Sequence, residues 1–193
     1  MITDCTAIIL AGGDSRRMGQ DKAMLMFAGQ PLIQTVLANM QKLFSITLLS
    51  VRQHRPEIDL PQIYDVQTEG GPLVGLVSAL AQITTPWAFV VACDMPFVSP
   101  ALVEQLAAQR AQYQAVVPVV GGRIQPLAAF YAGSSVATMR AGLALGDSSL
   151  MDALKRLHVC YVSEEELLQT DPQLRSFFDL DTPEDVATAQ GLK

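Results

Sequence analysis

Apolar residues form short continuous runs along the chain, and these runs alternate with stretches in which apolar residues recur at helical spacing. The runs at residues 7–10, 46–51 and 87–93 are typical of strands buried in a sheet. Between the first two runs, residues 31–43 show the spacing of one helix face, and Pro31 is the predicted first helical residue. This order predicts a βαβ unit, with two parallel strands and a right-handed crossover.

The same alternation continues through the rest of the chain. Strands are predicted near residues 63–64, 115–120, 127–131 and 158–162. One helix is predicted after the break at residues 69–72, and another is predicted to begin at Pro100. The Gly121–Gly122 turn predicts a hairpin between the strands at 115–120 and 127–131. Later helices are expected at residues 136–143 and 150–157, and start signals at Ser163 and Thr182 predict two more. We therefore expect one three-layer α/β domain over residues 1–193, with a mainly parallel sheet.

Composition narrows the class of protein. Half of the 193 residues are apolar, which is enough for a sizeable core, and the net charge of −6 argues against a general nucleic-acid binder. No apolar run approaches the roughly 20 residues that span a bilayer, and the N-terminus lacks signal-peptide features, so a cytoplasmic protein with no membrane partner is expected. The three cysteines form no CxxC pair and are interpreted as small buried apolar residues.

The loop after the first strand carries the clearest chemistry. Gly12 and Gly13 allow a ligand to lie against the main chain, and Arg16, Arg17 and Lys22 concentrate positive charge on an acidic protein. The spacing fits neither a Walker loop nor the GxGxxG dinucleotide fingerprint. The pattern therefore indicates an anion site of another kind.

Ligands of open α/β sheets bind beyond the carboxyl ends of the strands. Asp94 follows the apolar run at 87–93, and a carboxylate held by a strand end suits Mg²⁺ shared with substrate phosphates. The alternative is that Asp94 caps the helix that begins near Pro100. Arg52 and Arg55, which follow the run at 46–51, are interpreted as part of a surface loop.

The sequence LAGGDSRRMGQDK, residues 10–22, closely resembles a motif of the molybdenum cofactor guanylyltransferase family, the MobA-like nucleotidyltransferases. Residues 71–80, 93–100 and 178–186 resemble the family's later motifs in the same order, so the resemblance is nearly end to end. It implies a Rossmann-like nucleotidyltransferase fold. The implied reaction transfers GMP from GTP to the terminal phosphate of molybdopterin and releases pyrophosphate, with Mg²⁺ as cofactor.

The resemblance also implies roles for individual residues. Asp94 would bind Mg²⁺, Lys22 would contact the phosphates, and Asp65 would contact the guanosine portion of the nucleotide. Arg16 would meet the charge of the transition state. Because a phosphate anion attacks, no strong general base is required. The predicted catalytic residues are thus Arg16, Lys22 and Asp94. The predicted nucleotide-binding residues are Leu10, Ala11, Gly12, Lys22, Ser50, Asp65 and Asp94.

Departures from the family pattern leave alternatives open. Ser50 stands where the family commonly has Asn, which leaves the preference for GTP over CTP open and keeps a molybdopterin cytidylyltransferase as an alternative. Asp179 and Asp181 replace asparagines, and either bind a second metal or bind only water and nearby amides. Arg123 either reaches the acceptor or is a solvated surface residue. A non-catalytic nucleotide-binding regulator is the alternative of another class, and an enzyme would also make transient contacts with other molybdenum-cofactor proteins.

Overall fold

A central sheet runs through the molecule, and this computed structural model describes it over residues 1–12, 21–65, 71–180 and 182–190. The strands of the described residues are β1 Ile2–Leu10, β2 Met26–Phe27, β3 Gln30–Pro31, β4 Phe44–Val51, β5 Gln62–Tyr64, β6 Trp87–Ala92, β7 Ala115–Val120, β8 Arg123–Ile124, β9 Ala128–Ala132 and β10 Val159–Val162. The order across the main sheet is β10-β7-β9-β6-β1-β4-β5, with β8 paired to β7, while β2 and β3 form a separate small hairpin.

The sheet is mainly parallel, as predicted. β1 pairs in parallel with β4 on one side and β6 on the other, and β4 pairs in parallel with β5. The exception is β9, which lies antiparallel between β6 and β7, whereas β10 is again parallel to β7. The carboxyl ends of β5, β4, β1, β6 and β7 therefore meet at one edge.

In the described part of the chain, helices cover both faces of the sheet, which makes three layers. The helices of the described residues are α1 Leu32–Leu43, α2 Pro72–Leu80, α3 Pro100–Ala108, α4 Val136–Ala144, α5 Leu150–Leu154, α6 Glu164–Leu167 and α7 Pro183–Gln190. One core packs α1, α3 and α6 against the sheet, and a second core packs α2, α4 and α5 against the opposite face. Ile8 and Ile9 on β1 are fully buried on opposite faces, which explains why this strand is continuously apolar.

Several local predictions differ in detail from the structure. Pro31 is the residue before the first turn of α1 rather than its first helical residue. β7 and β9 pair antiparallel, as the predicted hairpin requires, but the Gly121–Gly122 turn leads first into the short β8, which also pairs with β7. Both predicted helix starts are confirmed: Ser163 and Glu166 form a capping box, and Thr182 and Asp185 exchange the equivalent hydrogen bonds.

A small third core packs the last described segment of the chain against the edge of the sheet where the parallel strands end. Leu180 is fully buried with Phe27 of the β2–β3 hairpin, Leu32 of α1, and Val186 of α7. The backbone N–H of Leu180 also donates to the carbonyl oxygen of Asp94 at 2.9 Å. A segment that is remote in sequence thus holds the loop after β6.

The three cysteines are free: Cys5 is buried, and Cys93 and Cys160 are partly buried. Within the described ranges, no helix has both the length and the apolar character needed to cross a membrane.

Candidate active site

The candidate site is a cleft at the edge where β5, β4, β1 and β6 end. Leu10 lies level with Ser50 on one side and with Ala92 on the other. Backbone hydrogen bonds continue past the strands, from the N–H of Ala11 to the oxygen of Ser50 at 2.9 Å and from the N–H of Cys93 to the oxygen of Leu10 at 3.2 Å. The loops therefore leave the sheet from fixed positions.

Lys22 enters the cleft from a single turn of 3-10 helix, Lys22–Met24. The Asp21 carboxylate caps this turn by accepting from the N–H of Ala23 at 3.1 Å. The same carboxylate pairs with the Arg55 guanidinium at 2.6 Å, and Arg55 also donates to the carbonyl oxygen of Ala11 at 3.4 Å. The segment after β4 is a surface loop, as predicted, but the Arg55 side chain points inward and links the segment that carries Lys22 to the end of β1.

At the β5 side of the cleft, three side chains form one polar group. The Ser50 hydroxyl donates to Oδ1 of Asp65 at 3.5 Å, and Nε of Arg52 lies 3.8 Å from Oδ2 of Asp65. The Asp65 side chain is 6% exposed and that of Arg52 is 26% exposed. Arg52 begins the predicted surface loop, and its side chain lines the cleft. The buried Ser50 hydroxyl holds the other oxygen of the Asp65 carboxylate.

Two glycines allow this polar group to lie close to the main chain. A Cβ at Gly75, on α2, would lie 3.0 Å from the Ser50 hydroxyl and 3.2 Å from Oδ1 of Asp65. A Cβ at Gly12 would lie 3.5 Å from Oδ2 of Asp65 and 3.4 Å from Cγ of Arg52. Gly12 and Gly75 therefore both leave room for the Asp65 carboxylate, one from the end of β1 and the other from α2.

Asp94 lies at the β6 side of the cleft and is half-buried. The residue that caps α3 is Ser99, whose hydroxyl accepts from the N–H of Leu102 at 3.2 Å. The alternative role of Asp94 as the cap of this helix is therefore wrong. The loop of Asp94 is held by the N–H of Leu180 and by the Asn39 amide, which donates to the oxygen of Pro96 at 2.9 Å.

Burial shifts the pKa values of two groups in the cleft. Desolvation raises the pKa of Asp65 above its ordinary value, although Arg52 and Ser50 act to lower it. Burial and the neighbouring Asp94 raise the pKa of the Cys93 thiol to about 12, so this thiol stays protonated at neutral pH and is a poor nucleophile.

A second cavity of about 350 Å³ opens nearby. The Phe97, Phe177 and Phe178 rings line it, together with Arg175 and with Gln125 from the segment that follows β8. Phe97 belongs to the same loop as Asp94, and Gln125 lies two residues before Leu127, which lines the first cleft. The second cavity is therefore connected to the candidate site through the loop of Asp94 and through the segment that leads to Leu127.

The structure brings most of the predicted site residues together. Those that line the cleft are Leu10, Ala11, Gly12, Lys22, Ser50, Asp65 and Asp94. Arg16 and Asp181 lie outside the described residues. Sequence reasoning missed Arg52, whose position directly after β4 was a signal, and the anchoring contact of Arg55, for which the sequence carries no local signal.

Comparisons with known proteins agree with this architecture. The family model for the MobA-like NTP transferase domain matches residues 7–160. A probable molybdenum cofactor guanylyltransferase from Chloroflexus aggregans is 36% identical over 96% of this chain and 93% of its own length. One from Pelotomaculum thermopropionicum is 34% identical over 96% of this chain and 91% of its own length.

A solved structure shows the same similarity in three dimensions. The crystal structure of molybdopterin-guanine dinucleotide biosynthesis protein A from Archaeoglobus fulgidus superposes with a TM-score of 0.85, at 29% identity over 97% of both chains. The resemblance found in the motifs is therefore confirmed over nearly the whole chain. The protein belongs to the molybdenum cofactor guanylyltransferase family, the MobA-like NTP transferases.

Proposed function

We propose that this protein transfers GMP from GTP to the terminal phosphate of molybdopterin, forming the guanine dinucleotide form of the molybdenum cofactor. A phosphate oxygen of the acceptor attacks the α-phosphorus of GTP, and the bond between that phosphorus and the bridging oxygen to the β-phosphate breaks. Pyrophosphate carries away the electron pair of this bond. One phosphoanhydride bond replaces another, so no strong general base is needed.

The observation that carries the proposal is one cleft with a carboxylate at each end, Asp65 after β5 and Asp94 after β6. Lys22 and Asp94 line it with Asp65 and Arg52, and the glycine-containing end of β1 lies between β4 and β6. Asp65 and Asp94 follow strands that are three strand spacings apart, which is about 14 Å. A nucleotide can therefore place its base beside Asp65 and its phosphates beside Asp94.

The residues present fit a magnesium ion that is shared with substrate. Among the described residues, no group of three or more His, Cys, Asp or Glu side chains could hold a metal ion by itself. Mg²⁺ commonly binds through one or two carboxylates and completes its shell with waters and phosphate oxygens, so Asp94 would hold it together with GTP. When bound, the ion would supply charge stabilisation at the α-phosphate and at the departing pyrophosphate.

Lys22 has the complementary role on the protein side. Its ammonium group would neutralise phosphate charge from the wall of the cleft, and the Asp21–Arg55 pair holds the turn from which it extends. Arg16 would add positive charge during the transfer, as the family motif implies. Catalysis would then consist of positioning and electrostatic stabilisation.

The second cavity supports the placement of the acceptor. Phe97 and Phe178 offer flat apolar surfaces to a ring system, and Arg175 offers a cation to a phosphate. The cavity and Asp94 share the loop after β6, so an acceptor held there would lie beside the phosphates of GTP.

Product formation from GTP, CTP and ATP, with molybdopterin as acceptor, tests the proposal. We expect GTP to be used much better than CTP, with magnesium required and pyrophosphate released in equal amount to the dinucleotide. Equal or better use of CTP would overturn the guanylyl assignment in favour of the cytidylyl alternative.

An Asp94→Asn variant separates an enzyme from a regulator that binds nucleotide without transfer. We expect this variant to lose turnover, while Asp59→Asn, which changes an exposed carboxylate, retains it. Full activity in Asp94→Asn would remove Asp94 from the metal role. A wild-type protein that binds GTP but forms no product with any acceptor concentration would favour the regulator.

A further inference from the structure

Arg52 is the cation that shares the β5 side of the cleft with Asp65. Its Nε lies 3.8 Å from Oδ2 of Asp65, and its side chain remains 26% exposed. Gly12 lies against its Cγ, so the side chain extends along the wall formed by the end of β1. The Ser50 hydroxyl contacts Oδ1 of Asp65, on the side of the carboxylate away from Arg52.

The Asp65 carboxylate presents two acceptor oxygens, and the Arg52 guanidinium beside it presents a fork of N–H donors. The edge of guanine presents the opposite order, since the N2 amino group and N1–H are donors and O6 and N7 are acceptors. Arginine paired with O6 and N7 is the commonest specific contact to guanine in nucleic-acid complexes, and the same geometry applies to a free nucleotide. The two patterns match group by group.

We propose that Arg52 determines nucleotide specificity by donating to O6 and N7 of guanine, while Asp65 accepts from N1–H and the N2 amino group. The inference rests on the proposed function, because it takes GTP as the substrate. The role of Arg52 is the new part, since the resemblance already implies that Asp65 contacts the guanosine portion and no family motif marks Arg52. It also assigns Ser50 to orienting Asp65, so that the serine in place of asparagine is compatible with guanine recognition.

Cytosine is the relevant competitor for this pair. Its O2 and N3 acceptors and N4 amino group could meet Arg52 and Asp65 only with the base turned over in the cleft. That orientation would place the ribose on a different side of the base, away from the line that leads to Lys22 and Asp94. The pair therefore selects guanine only together with the phosphate end of the cleft.

Two GTP analogues test each contact separately. 7-Deaza-GTP lacks the N7 acceptor, and inosine triphosphate lacks the N2 amino group. For the wild-type protein we expect kcat/KM to fall about ten- to a hundredfold with each analogue, the size of one hydrogen bond to a charged group. If the wild-type protein used 7-deaza-GTP as well as GTP, the inference would be overturned and the proposed function would stand.

The variants then assign each penalty to a residue. We call the fall in kcat/KM with each analogue, relative to GTP, the 7-deaza penalty and the inosine penalty. Arg52→Gln should remove the 7-deaza penalty and keep the inosine penalty. Asp65→Asn should remove the inosine penalty and keep the 7-deaza penalty. Arg52→Lys keeps a cation beside Asp65 but loses the planar fork of donors, so the 7-deaza penalty should shrink there too. Arg140→Gln, an exposed arginine on α4, is the matched control and should keep both penalties.

Two results would overturn the inference. If Arg52→Gln shows the same loss of kcat/KM with 7-deaza-GTP as the wild type, then Arg52 does not contact N7 and the inference is wrong. Arg52→Lys serves for this comparison if Arg52→Gln does not fold. Preferential use of CTP by the wild-type protein would overturn the inference and the proposed function together.

Discussion

Asp65 is a buried carboxylate, and its burial has a measurable effect on stability. Its raised pKa means that the folded state holds the proton to higher pH than the unfolded chain does. The contribution of Asp65 to the free energy of unfolding is therefore fully present below its unfolded pKa, near the ordinary value of 3.8, and is lost as pH rises through the raised folded value.

An Asp65→Asn variant lacks this titration. The melting temperature of the variant minus that of the wild type should increase as pH rises from about 4 to 7, because only the wild type loses stability over that range. GTP binding should weaken in the same variant, since one charged contact is lost. Melting curves across this pH series check the first effect, with Asp59→Asn as the exposed control. A temperature difference that stays constant with pH would contradict the prediction.

Gly75 lies within α2 and also against the site, so a larger side chain there affects helix stability and the site in different ways. A methyl group at this position would come within 3.0 Å of the Ser50 hydroxyl and 3.2 Å of the Asp65 carboxylate. Alanine is also the better helix former, by about 1 kcal/mol in an exposed helix interior.

We therefore expect Gly75→Ala to change the free energy of unfolding by less than about 1 kcal/mol, as helix propensity offsets the local crowding. The dissociation constant for GTP should nevertheless rise about tenfold, because Asp65 and Ser50 are pushed apart. Denaturant unfolding and calorimetry measure the two effects. Unchanged GTP affinity would show that the Ser50–Asp65 contact does not matter for binding.

At the scale of elements, the cleft depends on a contact between two loops. Arg55 follows β4 and binds Asp21, which caps the turn of Lys22, and the Arg55 side chain is 15% exposed. The pair thus fixes the direction in which Lys22 leaves the main chain.

Replacement of Arg55 by Gln should lower kcat/KM for GTP about ten- to a hundredfold, since a misplaced phosphate-binding group loses its transition-state contact. Arg55→Lys should restore only part of the activity because lysine cannot bind Asp21 and Ala11 at the same time. Steady-state kinetics check both variants, with Arg140→Gln as control. Wild-type activity in Arg55→Gln would mean that Lys22 is placed without this pair.

Strand ends were predictable from the sequence because parallel strands bring their carboxyl ends to one edge. That rule indicated Asp94, and the family resemblance indicated Ser50 and Asp65, which lie at the ends of neighbouring strands. The contacts of Arg52 and Arg55 were not predictable, because they depend on how the loop after β4 folds back over the end of β1. The predicted hairpin made β7 and β9 neighbours, but the pairing of β9 with β6 was beyond the pattern, since apolar periodicity predicts a strand and not which distant strand lies beside it.

At the scale of the whole molecule, Leu180 fastens α7 and the Asp94 loop to the sheet. Its side chain is fully buried, and its N–H holds the carbonyl oxygen of Asp94 at 2.9 Å. This core is small, so each of its side chains matters to the site as well as to stability.

Leu180→Ala should cost about 2–5 kcal/mol of unfolding free energy, as for other large-to-small core substitutions. Magnesium-dependent GTP binding should weaken as well, since the Asp94 loop loses a fixed anchor. Leu145→Ala, with the leucine 74% exposed, is the matched control for both measurements. Lower stability with unchanged magnesium dependence would limit Leu180 to a structural role.

The contact between Leu180 and Asp94 also sets an order of events during synthesis. Every predicted nucleotide-binding residue lies within the first 94 positions, and Leu180 emerges from the ribosome much later. Chains generally fold from the N-terminal side while they are made. A nascent chain would therefore carry the complete set of nucleotide ligands before it can hold Asp94 in place, and stalled chains of increasing length should gain magnesium-dependent GTP binding only after Leu180 has left the exit tunnel.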